Sequence, residues 1–142
     1  METQSLSIIV IDDELDQVDM TVMLLQSRGH RAVGSTDGLQ AVTLVTDEDA
    51  AVVVLDFMMN GVNGGDVCRA IRADSRTRDV RIVLLSGTSE VEIRRSCTQY
   101  DMYVSKPPTS QALFRAVEAL QASLQFDRPT GPEQFSKPPN PC

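Results

Sequence analysis

Five apolar residues, Ala51, Val52, Val53, Val54 and Leu55, run without interruption and stop at Asp56. A short β-branched run with no polar alternation is the pattern of a strand covered on both faces, as in the middle of a parallel sheet packed between helices. A strand of that kind needs partners on either side and helices above and below, which excludes a half-solvated antiparallel sheet. Asp56 then stands where the strand leaves the sheet. Open α/β sheets bind ligands in the crevice beyond the carboxyl ends of their strands, so this aspartate is a site candidate from its position alone.

The remainder of the chain supplies those partners. Residues 6–11 form a second β-branched run ending at Asp12, Asp13 and Glu14, and Leu15, Val18, Val22 and Leu25 follow at helical spacing up to a stop at Gly29. Residues 31–34 make a short strand, and a helix beginning at Asp37-Gly38 buries Ala41, Val42, Leu44 and Val45. After the central strand come a loop with Gly61, Gly64 and Gly65 and a helix over about 65–73. Residues 81–85 predict a strand ending at Ser86-Gly87, 89–99 a mostly polar helix, and 102–104 a strand ending at Lys106-Pro107. A helix over about 110–124 carries Leu113, Val117, Leu120 and Leu124 inward. Five strands alternating with five helices predict a doubly wound α/β fold with a five-stranded parallel sheet.

The chain has 142 residues, enough for one domain, which we place at 1–124. Five of the seven prolines lie in 125–142, which predicts a Pro-rich extended or disordered tail. The formal net charge of −7 speaks against direct nucleic-acid binding and against anionic membranes. No apolar run is long enough to span a bilayer, and the N-terminus has no signal-peptide pattern. Cys68, Cys97 and Cys142 form neither a metal-ligand spacing nor a disulfide framework. A cytoplasmic protein is expected. His30, next to Gly29, reads as a surface histidine, and the arginines at 69, 72, 76, 78 and 81 as a solvated face interleaved with Asp74 and Asp79.

Parallel strands bring their carboxyl ends to one rim, so Asp12, Asp13, Asp56, Ser86 and Lys106 converge there. Carboxylates this close repel by on the order of 4 kcal/mol per pair at an effective dielectric near 20. Such a cluster keeps a proton or binds a hard cation, and an all-oxygen donor set favours Mg²⁺ or Mn²⁺ over zinc. A metal-held aspartate can act as a nucleophile toward phosphorus, with charge on the phosphoryl oxygens neutralised by Lys106 and the Ser86 hydroxyl. Gly87 leaves the approach open.

With those residues in place, the chain resembles the response-regulator receiver domains of two-component signalling over about residues 5–124. The resemblance rests on VIDDE (10–14), GHRAVGSTDG (29–38), VVLDFMMNGVNG (53–64), IVLLSG (82–87) and YVSKP (103–107), in that order. It implies a flavodoxin-like sheet of strand order 2-1-3-4-5. It also implies that Asp56 accepts a phosphoryl group from a phosphohistidine on a histidine kinase or phosphotransfer protein. Asp13, Asp56 and the backbone carbonyl of Met58 would ligate Mg²⁺, with Asp12 acting mainly through water. Ser86 would bond the phosphoryl oxygen and draw its loop inward, Lys106 would pair with it, and Tyr103 would be the aromatic that changes rotamer. The Lys106-Pro107 bond would be cis. The switched surface would be the fourth helix, fifth strand and last helix, about 89–124, presented to a downstream protein partner by a signalling domain that is not a dedicated enzyme.

Three positions depart from the family pattern: Asn60 stands where a proline is usual, Gly87 where alanine is frequent, and Pro108 where a large apolar residue is common. Asn60 implies a looser loop. Three other readings stand beside this one: a phosphorylation-independent interaction module, a receiver fragment of a larger regulator or hybrid kinase, and an aspartyl phosphatase. The last usually carries a second acid two residues after the nucleophile, where this chain has Met58.

Overall fold

The computed structural model describes residues 5–59 and 61–126. Five strands, β1 (Ser7–Ile11), β2 (Arg31–Ser35), β3 (Val52–Asp56), β6 (Arg81–Ser86) and β7 (Met102–Ser105), form a parallel sheet in the order β2-β1-β3-β6-β7. This is the predicted 2-1-3-4-5 order, once a small antiparallel hairpin is set aside. That hairpin, β4 (Met58–Met59) with β5 (Val62–Asn63), replaces part of the expected glycine loop. Gly61, between its strands, has φ of +73°, a conformation glycine adopts without steric cost.

Alternation along the strands divides the core in two. Ile9, Ile11, Val53, Leu55, Ile82 and Leu84 face α2 (Ala41–Glu48), α3 (Gly64–Ala73) and α4 (Glu90–Arg94), which contribute Val45, Val67, Ile71 and Ile93. Ile8, Val10, Val52, Val54, Val83 and Leu85 face α1 (Leu15–Ser27) and α5 (Ser110–Phe126), which contribute Val18, Leu25, Leu113, Val117 and Leu120. All five residues of β3 are buried, as the uninterrupted run requires. Among the described residues no helix is long and apolar enough to cross a membrane.

Helix ends follow local chemistry. Gly29, with φ of +86°, closes α1 in a Schellman turn: its own N–H donates to the Gln26 carbonyl and the His30 N–H to the Leu25 carbonyl. That turn swings His30 inward. Contrary to the surface position expected, His30 is buried, and its Nδ1 accepts a hydrogen bond from the Leu6 N–H at 3.1 Å. Burial lowers its pKa below the ordinary value. The left-handed residue after α2 is Asp49, with φ of +50°. Replacing it with glycine removes the clash of its Cβ with the backbone and is expected to stabilise the protein by about 0.5–1 kcal/mol, read as a rise in the thermal midpoint.

The helix expected over 89–99 stops at Arg94. Within 95–99 only Cys97 is buried, and the Ser96 and Gln99 carbonyls bond to side chains of α3. Arg69 donates to Ser96. Arg72 donates to Gln99, Arg78 and Val80 carbonyls and to Asp101 at 2.9 Å. Arg72 is therefore a structural tie, while Arg69 and Arg76 remain half-exposed or more, as a solvated face requires. The last helix runs to Phe126, two residues into the tail expected over 125–142; the rest of that tail, 127–142, lies outside the described residues, as does the Asn60 departure.

Candidate functional site

The sheet register places the candidate residues on one rim. Ile11 pairs with Leu55, so Asp12 and Asp56 leave adjacent strands side by side. Asp56 pairs with Leu85 and Ser86 with Ser105, which brings Ser86 and then Lys106 to the same edge. Carboxylate oxygens of Asp12, Asp13 and Asp56 all lie within 4.8 Å of one another. Lys106 Nζ sits 3.2 Å from Asp12 Oδ2 and 3.2 Å from Asp56 Oδ1. The Lys106-Pro107 peptide is cis.

Asp56 is 3% exposed, and its pKa is raised from 3.8 to about 6. Burial is the largest cause and the Asp12 charge the next, while Lys106 and the Met58 N–H favour the carboxylate without cancelling them. Burial is also the largest effect on Lys106 and opposes its charge, yet the two carboxylates together hold its pKa above the ordinary value. One cation facing a cluster of acids leaves net negative charge in a buried place. The oxygen-only donor set therefore fits a hard divalent cation.

Ser86 is fully buried and its Oγ accepts the Thr88 N–H at 2.9 Å, while its carbonyl accepts the Lys106 N–H at 2.9 Å. The Tyr103 hydroxyl donates to the Thr88 carbonyl at 2.6 Å. Thr88 thus joins Ser86 to Tyr103. A side chain on Gly87 would meet nothing within 4 Å, so the mouth is open. Gly64 carries a constraint invisible in the sequence: a Cβ there would lie 2.8 Å from the Asp56 carbonyl oxygen.

The family model of the response regulator receiver domain matches residues 8–118. This chain belongs to that family. The DNA-binding response regulator MtrA of Mycobacterium tuberculosis is 34% identical over 119 residues, covering 84% of this chain and 52% of MtrA. The present chain thus spans about half the length of that relative. Among solved structures, the chemotaxis response regulator CheY4 of Vibrio cholerae superposes with a TM-score of 0.75 at 18% identity, over 82% of this chain and 99% of that one, a likeness of fold alone. The receiver domain of the sensor histidine kinase PA1611 of Pseudomonas aeruginosa, with magnesium coordinated in its active-site cleft, gives 0.74 at 25% identity, over 84% of this chain and 99% of that one.

One expectation is overturned. An output without direct nucleic acid does not agree with a relative such as MtrA, which is a DNA-binding response regulator. The inference from net charge fails for a physical reason: about half of MtrA lies outside the matched region, and the charge of a receiver carries no information on what it controls.

Proposed function

We propose that this receiver accepts a phosphoryl group on Asp56 from the phosphohistidine of a histidine kinase or phosphotransfer protein, and that its phosphorylation state governs a DNA-binding output in the cytoplasm. The observation that carries the reading is a buried aspartate set between two other carboxylates and facing Lys106 at 3.2 Å. Asp13, Asp56 and the Met58 backbone carbonyl would hold Mg²⁺ or Mn²⁺, with Asp12 acting through water. When bound, the ion supplies charge neutralisation for the phosphoryl oxygens. An Asp56 carboxylate oxygen attacks phosphorus as the phosphorus–imidazole nitrogen bond breaks, and the bond electrons leave with the imidazole. Lys106 pairs with the transferred group. The chain serves as a phosphoacceptor and not as a dedicated enzyme, since Met58 offers no proton where a phosphatase carries its second acid.

The switch we infer begins at Ser86. Turning its hydroxyl toward a phosphoryl oxygen gives up the bond from the Thr88 N–H, which releases the Thr88 carbonyl held by Tyr103. Residues 89–124, comprising α4, β7 and α5, then carry the change to the output. Each new charge-assisted bond contributes about 1.5–3 kcal/mol. Ser86→Ala is therefore expected still to take up phosphate but to shift the off-to-on ratio about 10–150-fold less, read from the amide resonances of 86–94 before and after phosphorylation. Full switching in the variant contradicts this mechanism.

The test of phosphoacceptance is intact mass after incubation with Mg²⁺ and a small acyl or amido phosphodonor. A labile gain of one phosphoryl group in the wild type and none in Asp56→Asn supports the reading. No gain in the wild type, or an equal gain in the variant, overturns it.

A further inference from the structure

Two cysteines outside the acidic rim meet across the core. Cys68, on α3, is 0% exposed and Cys97, just beyond α4, is 4% exposed, in the same core cluster. The Cys97 thiol is a direct neighbour of the Cys68 thiol. The flanking contacts hold them in register: Arg69, next to Cys68, donates to the carbonyl of Ser96, next to Cys97, and Arg72 donates to Gln99. One turn before Cys68, a Cβ built on Gly65 would lie 3.4 Å from the Cys97 Cβ. Both cysteines are free thiols.

We propose that Cys68 and Cys97 are a disulfide-forming oxidation site that fastens the segment after α4 to α3. The co-reactant is a two-electron oxidant of the peroxide class. One sulfur, as thiolate, attacks a peroxide oxygen, the O–O bond breaks, and water leaves after protonation, giving a sulfenic acid. The second sulfur attacks the first, the S–O bond breaks, and a second water departs. In total the two thiols lose two hydrogens and two electrons, and one peroxide becomes two waters.

Burial pushes the Cys68 thiol up in pKa, and the neighbouring Cys97 adds to this. A closed pair is therefore protected, because the thiolate is the reactive species. Access comes through the 90–100 segment, whose helix has only five residues and in which 94–96 and 98–99 are exposed on either side of Cys97. Such a bond in a reducing compartment is transient and regulatory. If Asp56 is the phosphoacceptor as proposed above, the oxidised protein takes up phosphate but its 86–94 loop no longer responds.

The test uses the full chain with Cys142→Ser, so that the pair are its only thiols, in the native state with hydrogen peroxide. Catalase quenching and alkylation with N-ethylmaleimide in denaturant follow. The expected result is the loss of two hydrogens, no alkylation, a cross-linked Cys68–Cys97 peptide, and two alkylatable thiols after dithiothreitol. The oxidised form should also melt roughly 5–10 °C higher. Two alkylated thiols after peroxide, or oxygen gained without a cross-link, overturns the proposal. These readouts need no phosphoryl transfer, so they stand or fall separately from the phosphoacceptor reading, and the pair itself is unmutated. Cys97→Ser, as a further check, should leave no protected sulfur.

Discussion

Replacing Asp56 with asparagine is expected to stabilise the metal-free protein at pH 7 by on the order of 2 kcal/mol, although under the proposed function it should end phosphoryl uptake. The carboxyl has a pKa of about 6 in the fold against an ordinary 3.8, because burial and then the Asp12 charge oppose its ionisation more than Lys106 favours it. An acid whose folded pKa is raised makes the folded protein the better proton binder. Its contribution to stability is full below about 3.8 and is lost as pH rises through about 6. That difference is worth about 3 kcal/mol at most, and screening at the open rim trims it. An amide keeps the shape and removes the charge, while Lys106 keeps its contact with Asp12. Urea unfolding of both proteins from pH 4 to 8 measures this directly. The stability gap should open between pH 4 and 6.5 and stay constant above pH 7. Mg²⁺ should narrow it by relieving the same repulsion in the wild type. A gap independent of pH would mean that Asp56 ionises without strain.

What could be read in the sequence depended on how local the cause was. Val52 to Asp56 declares its burial locally, because a run that short, β-branched and uninterrupted suits a strand covered on both faces. Asp12, Asp56, Ser86 and Lys106 converge because parallel strands share a polarity, a rule that needs only strand ends. The end of α4 was not legible in the same way: its stop is set by Arg69 and Arg72, which take carbonyls from a segment 27 residues away in the chain. His30 was misplaced because its burial depends on an Nδ1 contact with Leu6, 24 residues distant. Thr88 gains its part only through the Tyr103 hydroxyl, 15 residues on. Periodicity and strand polarity are one-dimensional signals; a guanidinium or imidazole reaching across the fold leaves none.

Gly64→Ala is expected to be the most damaging small substitution near the site, costing about 3 kcal/mol and most of the phosphoryl uptake. A methyl group there would lie 2.6 Å from the Phe57 Cα, 2.8 Å from the Asp56 carbonyl oxygen and 2.9 Å from the Phe57 carbonyl oxygen. All three are backbone atoms, so no rotamer change relieves the contact. The Gly64 N–H also donates to the Phe57 carbonyl at 2.7 Å, which pins the start of α3 directly behind Asp56. To admit the methyl, either α3 backs away and uncovers Val67 and Ile71, or the Asp56–Phe57 peptide shifts and carries the carboxylate off its 3.2 Å contact with Lys106. The first loses stability and the second loses chemistry. Gly87→Ala is the matched control, because its added methyl meets open space, and it should change the urea midpoint little. Measuring both variants by urea unfolding and by phosphodonor uptake separates a packing requirement at Gly64 from a general intolerance of side chains around the rim. Equal behaviour of the two would show that the approach of α3 to Asp56 is not what positions the carboxylate.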